Sequence, residues 1–337
     1  MDFQTLRREA RERFKGACRV CPVCDGRACA GEVPGMGGLG TGAAFRNNIS
    51  ALSNRLFNMS TVHEVREPVS ACRFLGMDLA LPVLGAPMGG VSFNMNAAVA
   101  DADFATALVE GCSKAGTVAM TPDSPCPADF ESGIAALRAG RRVIPVIKPR
   151  ATDKVIELAR QAADAGAPAF GMDIDAAALV NMSRAGHPVG PKTREDLARI
   201  KQSVSIPFMV KGVMTRSDAA TCLEAGVDAI VVSNHGGRAL DHVPGTADVL
   251  PEIADAVKER MAILVDGGIR SGADVLKMLA LGADAVLLGR PLAVAAVGGL
   301  AEGVEMTLGK LADELRAAMV LTGTPDVSLV SRRILHA

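Results

Sequence analysis

IPFMVKGVMTRSDAATCLEAGVDAIVVSN, residues 206–234, spells out one strand–helix–strand unit. IPFMVKG is a short apolar run of buried-strand type. RSDAATCLEAG (216–226) then repeats its apolar residues at helical spacing and stops at a glycine, and DAIVVSN (228–234) is apolar again. The same beat continues in both directions. Upstream lie LPVLGAP (81–87), GTVAMT (116–121), RVIPVIK (142–148) and PAFGMDI (168–174); downstream lie AILVDGG (262–268) and DAVLLGR (284–290). Eight such units predict an α/β chain folded as a closed parallel (β/α)8 TIM barrel. An open doubly wound sheet would draw on the same alternation, but no GxGxxG opens a helix after the first strand.

The 337 residues suit one barrel, which needs about 250, plus an N-terminal extension. The expected division is an extension over 1–43 and a barrel over 44–337. A net charge of −1 offers no basic surface for nucleic acid, and 3% aromatic residues with neither Trp nor Tyr leave little to stack on bases. Apolar stretches are interrupted before the length of a membrane span, so none is expected. The charged start MDFQTLRREARERF lacks the apolar run of a secretory signal, which points to the cytoplasm and to reduced thiols.

Chemistry-bearing residues gather at strand ends, where barrel sites form. Asp266-Gly267-Gly268-Ile269-Arg270 ends the seventh run and Gly289-Arg290-Pro291 the eighth. Paired glycine turns with an arginine and a following helix are a phosphate-binding pattern, because open backbone N–H groups, a helix dipole and a guanidinium converge there. The sixth run ends in Ser233-Asn234-His235-Gly236-Gly237-Arg238. A neutral imidazole can accept a proton near pH 7 and a guanidinium fork can hold a carboxylate, so His235 and Arg238 read as base and acid clamp. Asp173, at the end of the fourth run, is the expected partner of the second imidazole nitrogen.

SNHGGRALD (233–241), preceded by MVKGV (209–213) and followed by DGGIRSG (266–272) and LGRP (288–291), resembles the FMN-dependent 2-hydroxy-acid oxidase and dehydrogenase family, to which glycolate oxidase and lactate oxidase belong. The resemblance runs from about Asn47 to the C-terminus and includes LGMDLALPVLGAPMGG (75–90). It implies FMN as cofactor, a small 2-hydroxy acid as substrate, an electron acceptor it does not identify and a homo-oligomer, a tetramer by family habit. It also implies that Lys211 is the cation beside the flavin ring, that Ala86, Pro87, Thr121 and Ser233 line the cofactor, and that Asp266, Gly267, Gly268, Arg270, Gly289 and Arg290 form the phosphate loops. A redox or regulatory FMN protein without catalysis and a flavin-barrel isomerase are the alternatives.

The chain departs from the family on the substrate side. RVIPVIKPR (142–150) puts Val143 and Pro145 near positions where the family has Gln and Tyr, PGMGG (34–38) stands where it has another Tyr, and Gly171 replaces a Thr. Arg184 is the candidate for a second substrate arginine. A larger or differently functionalised hydroxy acid than glycolate or lactate is therefore expected.

Outside the resemblance, Cys18-x2-Cys21-x2-Cys24-x4-Cys29 groups four thiols ahead of the glycine-rich run GEVPGMGGLGTG (31–42). Zinc or an iron–sulfur cluster is the expected occupant, with free thiols as the alternative. Cys72, Cys112, Cys126 and Cys222 are expected as small apolar fillers.

Overall fold

The structure, a computed structural model, describes residues 1–336, leaving aside the side chain of Val180. The chain opens with α1 (Phe3–Phe14) and α2 (Ala43–Ser53), then a hairpin of β1 (Cys72–Phe74) and β2 (Met77–Leu79). All eight apolar runs become strands: β3 (Val83–Gly85), β4 (Ala119–Pro122), β5 (Val143–Ile147), β6 (Phe170–Asp173), β7 (Phe208–Val213), β8 (Ala229–Val232), β9 (Ala262–Val265) and β10 (Ala285–Leu288). They pair in parallel, each with its neighbours in sequence, and β10 closes on β3.

Helices fill the crossovers: α3 (Val91–Asn94) and α4 (Asp101–Lys114), α5 (Pro127–Arg138), α6 (Thr152–Asp164), α7 (Val180–Arg184) and α8 (Arg194–Gln202), α9 (Arg216–Glu224), α10 (Thr246–Val257), α11 (Gly272–Leu281) and α12 (Arg290–Leu321). The period-2 alternation of each strand divides the apolar residues into two cores. Leu84, Met120, Ile144, Val146, Met209 and Leu264 meet inside the barrel, whereas Val83, Val143, Phe170 and Ile263 face the helices. Phe74, Met77 and Leu79 of the hairpin join the interior cluster at the N-terminal ends of the strands. The barrel is thus floored.

The extension is docked onto the barrel through α1. Asp2 caps α1 by accepting from the Thr5 N–H at 2.7 Å, and Leu6, Ala10 and Phe14 share one buried face. Burying side chains such as Leu6 and Phe14 contributes roughly 1.5–3 kcal/mol each. The partner surface is α12, where a Cβ on Gly298 would lie 2.3 Å from the Leu6 carbonyl oxygen, so only glycine admits α1 this closely. α12 is long and apolar enough to cross a membrane by length and composition alone. It is broken at Leu300, whose φ is 49°, and its Leu292, Val297, Val304, Leu308 and Leu315 are buried among α1, α4 and α11.

Candidate active site at the barrel mouth

The alternation that fills the barrel with apolar residues continues to its C-terminal rim and there changes chemistry. Two residues beyond Val146, Met209, Val231, Leu264 and Leu287 come Lys148, Lys211, Ser233, Asp266 and Gly289, and Asp173 stands two beyond Gly171. Lys148, Asp173, Lys211, Ser233 and Asp266 are all buried. Buried charges persist only when paired, and Lys148, Asp173 and Lys211 pair with one another. The Lys148 ammonium donates to Asp173 Oδ2, while Lys211 Nζ lies 2.8 Å from Asp173 Oδ1 and 3.7 Å from Asp175 Oδ2. Burial pushes the Asp173 carboxyl up, but Lys148, Lys211 and His235 outweigh it and hold it well below the usual carboxylate range. Burial likewise works against the Lys211 cation, and Asp173, Asp175 and Asp266 more than restore it.

His235 stands on the loop after β8 with φ 60°, followed by Gly236 at 63° and Gly237 at 80°. Three consecutive left-handed residues fold the chain sharply across the mouth, and a non-glycine residue held in that conformation marks strain of the kind found at functional sites. Its Nδ1 is 2.9 Å from Asp175 Oδ1 and 3.6 Å from Asp173 Oδ1. Asp175 is therefore the direct partner, a correction to the expectation for Asp173, which the two lysines engage. An ionised carboxylate only accepts, so Nδ1 carries the proton and Nε2 presents the lone pair. Asp175 reaches the imidazole from the turn after β6 because Gly212 has φ 106° and no side chain; a Cβ there would sit 2.6 Å from Asp175 Cβ. Among the described residues Asp173, Asp175 and His235 are also the one group spaced for a metal ion, but the Lys211 ammonium already supplies the cation there.

A second set of cations lies beside this network, and among the described residues no carboxylate bonds their guanidinium groups. Arg290 donates to the carbonyls of Met36 (2.8 Å), Gly37 (2.9 Å) and Gly236 (3.0 Å), and its guanidinium lies 3.9 Å from the centroid of Phe45. Arg238 donates to the carbonyls of Gly35 and Gly37 and to Asn94 Oδ1. Arg270 bonds the Ile269 carbonyl and Cys24 Sγ, and its buried Nε has no partner among the described residues. Burial and the neighbouring Arg238 and Arg270 push the Arg290 pKa down to about 9. A glycine-rich strap, residues 35–38, thus crosses the mouth and covers the arginines with backbone carbonyls.

The remaining expected residues fall into two groups. Ala86 faces the interior, half-buried Pro87 follows it, and Gly289 caps α12 at the rim. Gly267 and Gly268, with φ 99° and 82°, pack against Asn48 of α2 so closely that no Cβ fits. The others need correcting. Thr121 points out of the barrel at α5, where a Cβ on Gly133 would come within 2.4 Å of its hydroxyl. Asp266 turns inward, accepting from Ser233 Oγ at 2.8 Å, and burial pushes its carboxyl pKa up. Arg184 is exposed at the end of α7, and Cys126 is exposed at the start of α5 rather than buried as filler. Val143 and Pro145 face the helices. The residue just after β5 that turns into the site is Lys148, which the alternation from Ile144 and Val146 would have identified.

This geometry can do two things chemically. An oriented imidazole can abstract a proton beside a buried cation, and an arginine cluster without a counter-ion can receive an anion. The FMN-dependent dehydrogenase family matches the chain over residues 35–193 and 189–337. A peroxisomal (S)-2-hydroxyacid oxidase of Arabidopsis thaliana is 46% identical over 138 residues, 41% of this chain and 38% of that protein. An L-lactate dehydrogenase of Xanthomonas campestris pv. campestris is 51% identical over 137 residues, 41% of this chain and 36% of that protein. The matched stretch thus spans less than two-fifths of these relatives. A crystal structure of mandelate oxidase, 28% identical, superposes with a TM-score of 0.79 over 99% of this chain and 97% of that one. Mandelate oxidase with a C4a-OH-FMN adduct superposes with a TM-score of 0.78 at 29% identity, over 98% of each chain.

Proposed function

Because the chain belongs to the FMN-dependent dehydrogenase family, we propose that it binds FMN at the barrel mouth and oxidises a 2-hydroxy acid to the 2-oxo acid, with His235 as the base. One observation carries this reading: a carboxylate-oriented imidazole stands beside three arginines whose guanidinium groups have no acidic partner among the described residues. FMN fits the residues present. The partnerless Nε of Arg270 and the carbonyl-bonded Arg290 leave positive charge that an anion such as the cofactor phosphate would match. When bound, FMN supplies the two-electron acceptor.

The chain's own residues divide the work. His235 Nε2 takes the hydroxyl proton, and Asp175 holds the ring and stabilises the imidazolium that results. Lys211, buried and kept charged by Asp173, would offer positive charge to the bound cofactor as it gains electrons. Arg238 takes the substrate carboxylate once Gly35 and Gly37 give up its donors. Lys148 adds a further cation, bonded to Asp173, at the mouth of a chain that has no Tyr, which supports a substrate other than glycolate or lactate. The same proposal extends to the four N-terminal cysteines as a metal site in a reducing compartment, supported by their lining a single cavity.

The test is anaerobic addition of a panel of 2-hydroxy acids to the purified yellow protein. Bleaching of the flavin band by at least one of them is expected. A flavin that stays oxidised with every acid in the panel would instead support an FMN-binding protein without this activity.

A further inference from the structure

We infer that Cys18, Cys21, Cys24 and Cys29 hold an iron–sulfur cluster, rather than a single zinc ion, in a cavity that abuts the arginines of the proposed phosphate site. The inference deepens the metal-site reading above and rests on it. All four thiols line one cavity of about 710 Å³, which Arg270 and Arg290 also border. Two N–H groups already point at sulfur, Val20 N–H at Cys18 Sγ (3.4 Å) and Arg270 Nη2 at Cys24 Sγ (3.5 Å). The loop that carries the cysteines is fixed through its backbone: Arg7 donates to the carbonyls of Val20 (2.9 Å) and Cys21 (2.7 Å). Its thiols are left free to bind.

Spacing decides between the two occupants. A tetrahedral zinc site with Zn–S bonds of about 2.3 Å draws its sulfurs to within about 3.8 Å of one another. Among the described residues no three of these thiols lie mutually within 4.8 Å, since the only group so gathered is Asp173, Asp175 and His235. The four nonetheless line the same cavity. Thiols ranged round a cavity, close but not converging, suit a polynuclear centre whose own atoms fill the middle. The interval agrees, because Cys18, Cys21 and Cys24 repeat the C-x2-C-x2-C run of bacterial ferredoxins. A cluster carried by four thiolates is anionic, and Arg7, Arg270 and Arg290 on the cavity wall match that charge.

The site is joined to the mouth. A Cβ on Gly37 would fall 1.9 Å from the Cys29 carbonyl oxygen, so the strap that covers Arg290 is packed directly on the cysteine loop.

The full-length protein, purified without oxygen, should contain iron and acid-labile sulfide in equal amounts, and dithionite should produce a cluster signal by electron paramagnetic resonance. Both should fall by at least half in Cys21→Ser. Should that variant fail to fold, alkylation of the native wild type followed by mass spectrometry gives the same information, with the four N-terminal cysteines protected until the iron is chelated. Stoichiometric zinc without sulfide overturns the inference, as does metal-free protein whose four N-terminal thiols alkylate at once. Flavin content of the same preparation is read separately, so a missing cluster with retained FMN leaves the flavin reading standing.

Discussion

Two charged regions share the rim of this barrel and differ in how their charge is satisfied. In the ring formed by Lys148, Asp173, Lys211, Asp175 and His235, every cation has a carboxylate of the same chain beside it. Around the guanidinium groups of Arg238, Arg270 and Arg290, the described residues offer only carbonyl oxygens, an amide, a thiol and an aromatic ring. A matched network holds protons and side chains where they are and needs no ligand to be stable. An unmatched one is stable only in part, and a phosphate or carboxylate arriving from outside completes it. The contrast separates the part of the site that does chemistry from the part that holds molecules.

The largest expected effect lies in the matched ring. His235→Ala should slow flavin reduction by the best hydroxy acid about 10²- to 10⁴-fold, the usual range for losing a general base, with FMN still bound. Anaerobic stopped-flow measurement checks this, and an unchanged reduction rate would remove His235 from the mechanism. In the unmatched cluster the reverse pattern is expected. Arg290→Ala should weaken FMN binding about ten- to a hundredfold, the equivalent of one charge-assisted hydrogen bond, while the folded barrel persists by circular dichroism. Retention of one FMN per chain in that variant after dialysis would erase the distinction between the two regions.

The smallest effect probes how tightly the matched ring is closed. Lys148→Met leaves Asp173 with Lys211 alone and should cost about 1–3 kcal/mol in urea unfolding at neutral pH. The sign with pH follows from the depressed Asp173 pKa. A carboxyl lowered on folding contributes stability above its unfolded value, about 3.9, and loses it as pH falls toward the folded value. The unfolded value is common to both proteins, so their gap should hold until pH falls to the folded Asp173 pKa of the variant and should close only below it; a gap that stays open at every pH at which both remain folded would show that Lys148 acts through packing alone.

The barrel was legible because its signal is repeated: each apolar run is short, ends in a turn and is followed by helical spacing, and long-range pairing adds nothing that the order of the runs does not imply. The site was legible where it lies on a strand. Lys211 and Ser233 keep the inward parity of their strands, and so does Lys148, but comparing its segment with the glutamine and tyrosine of relatives drew attention to Val143 and Pro145, which have the opposite parity. Asp175 lies beyond the end of β6, where alternation stops, and its reach depends on the backbone of Gly212 in another strand. The strap was out of reach for a different reason. Its contacts join Gly35 to Arg238 and Gly37 to Arg290, about two hundred residues and more along the chain, through backbone carbonyls that leave no mark in residue type.

The hairpin of β1 and β2 turns the barrel into a vessel with one door. Phe74, Met77 and Leu79 stop its far end with side chains, continuous with the apolar layers above them. On the proposed reading, hydroxy acid and oxo acid would share the opening that the strap crosses, so each turnover would be a queue: the product has to clear the doorway before the next acid can enter.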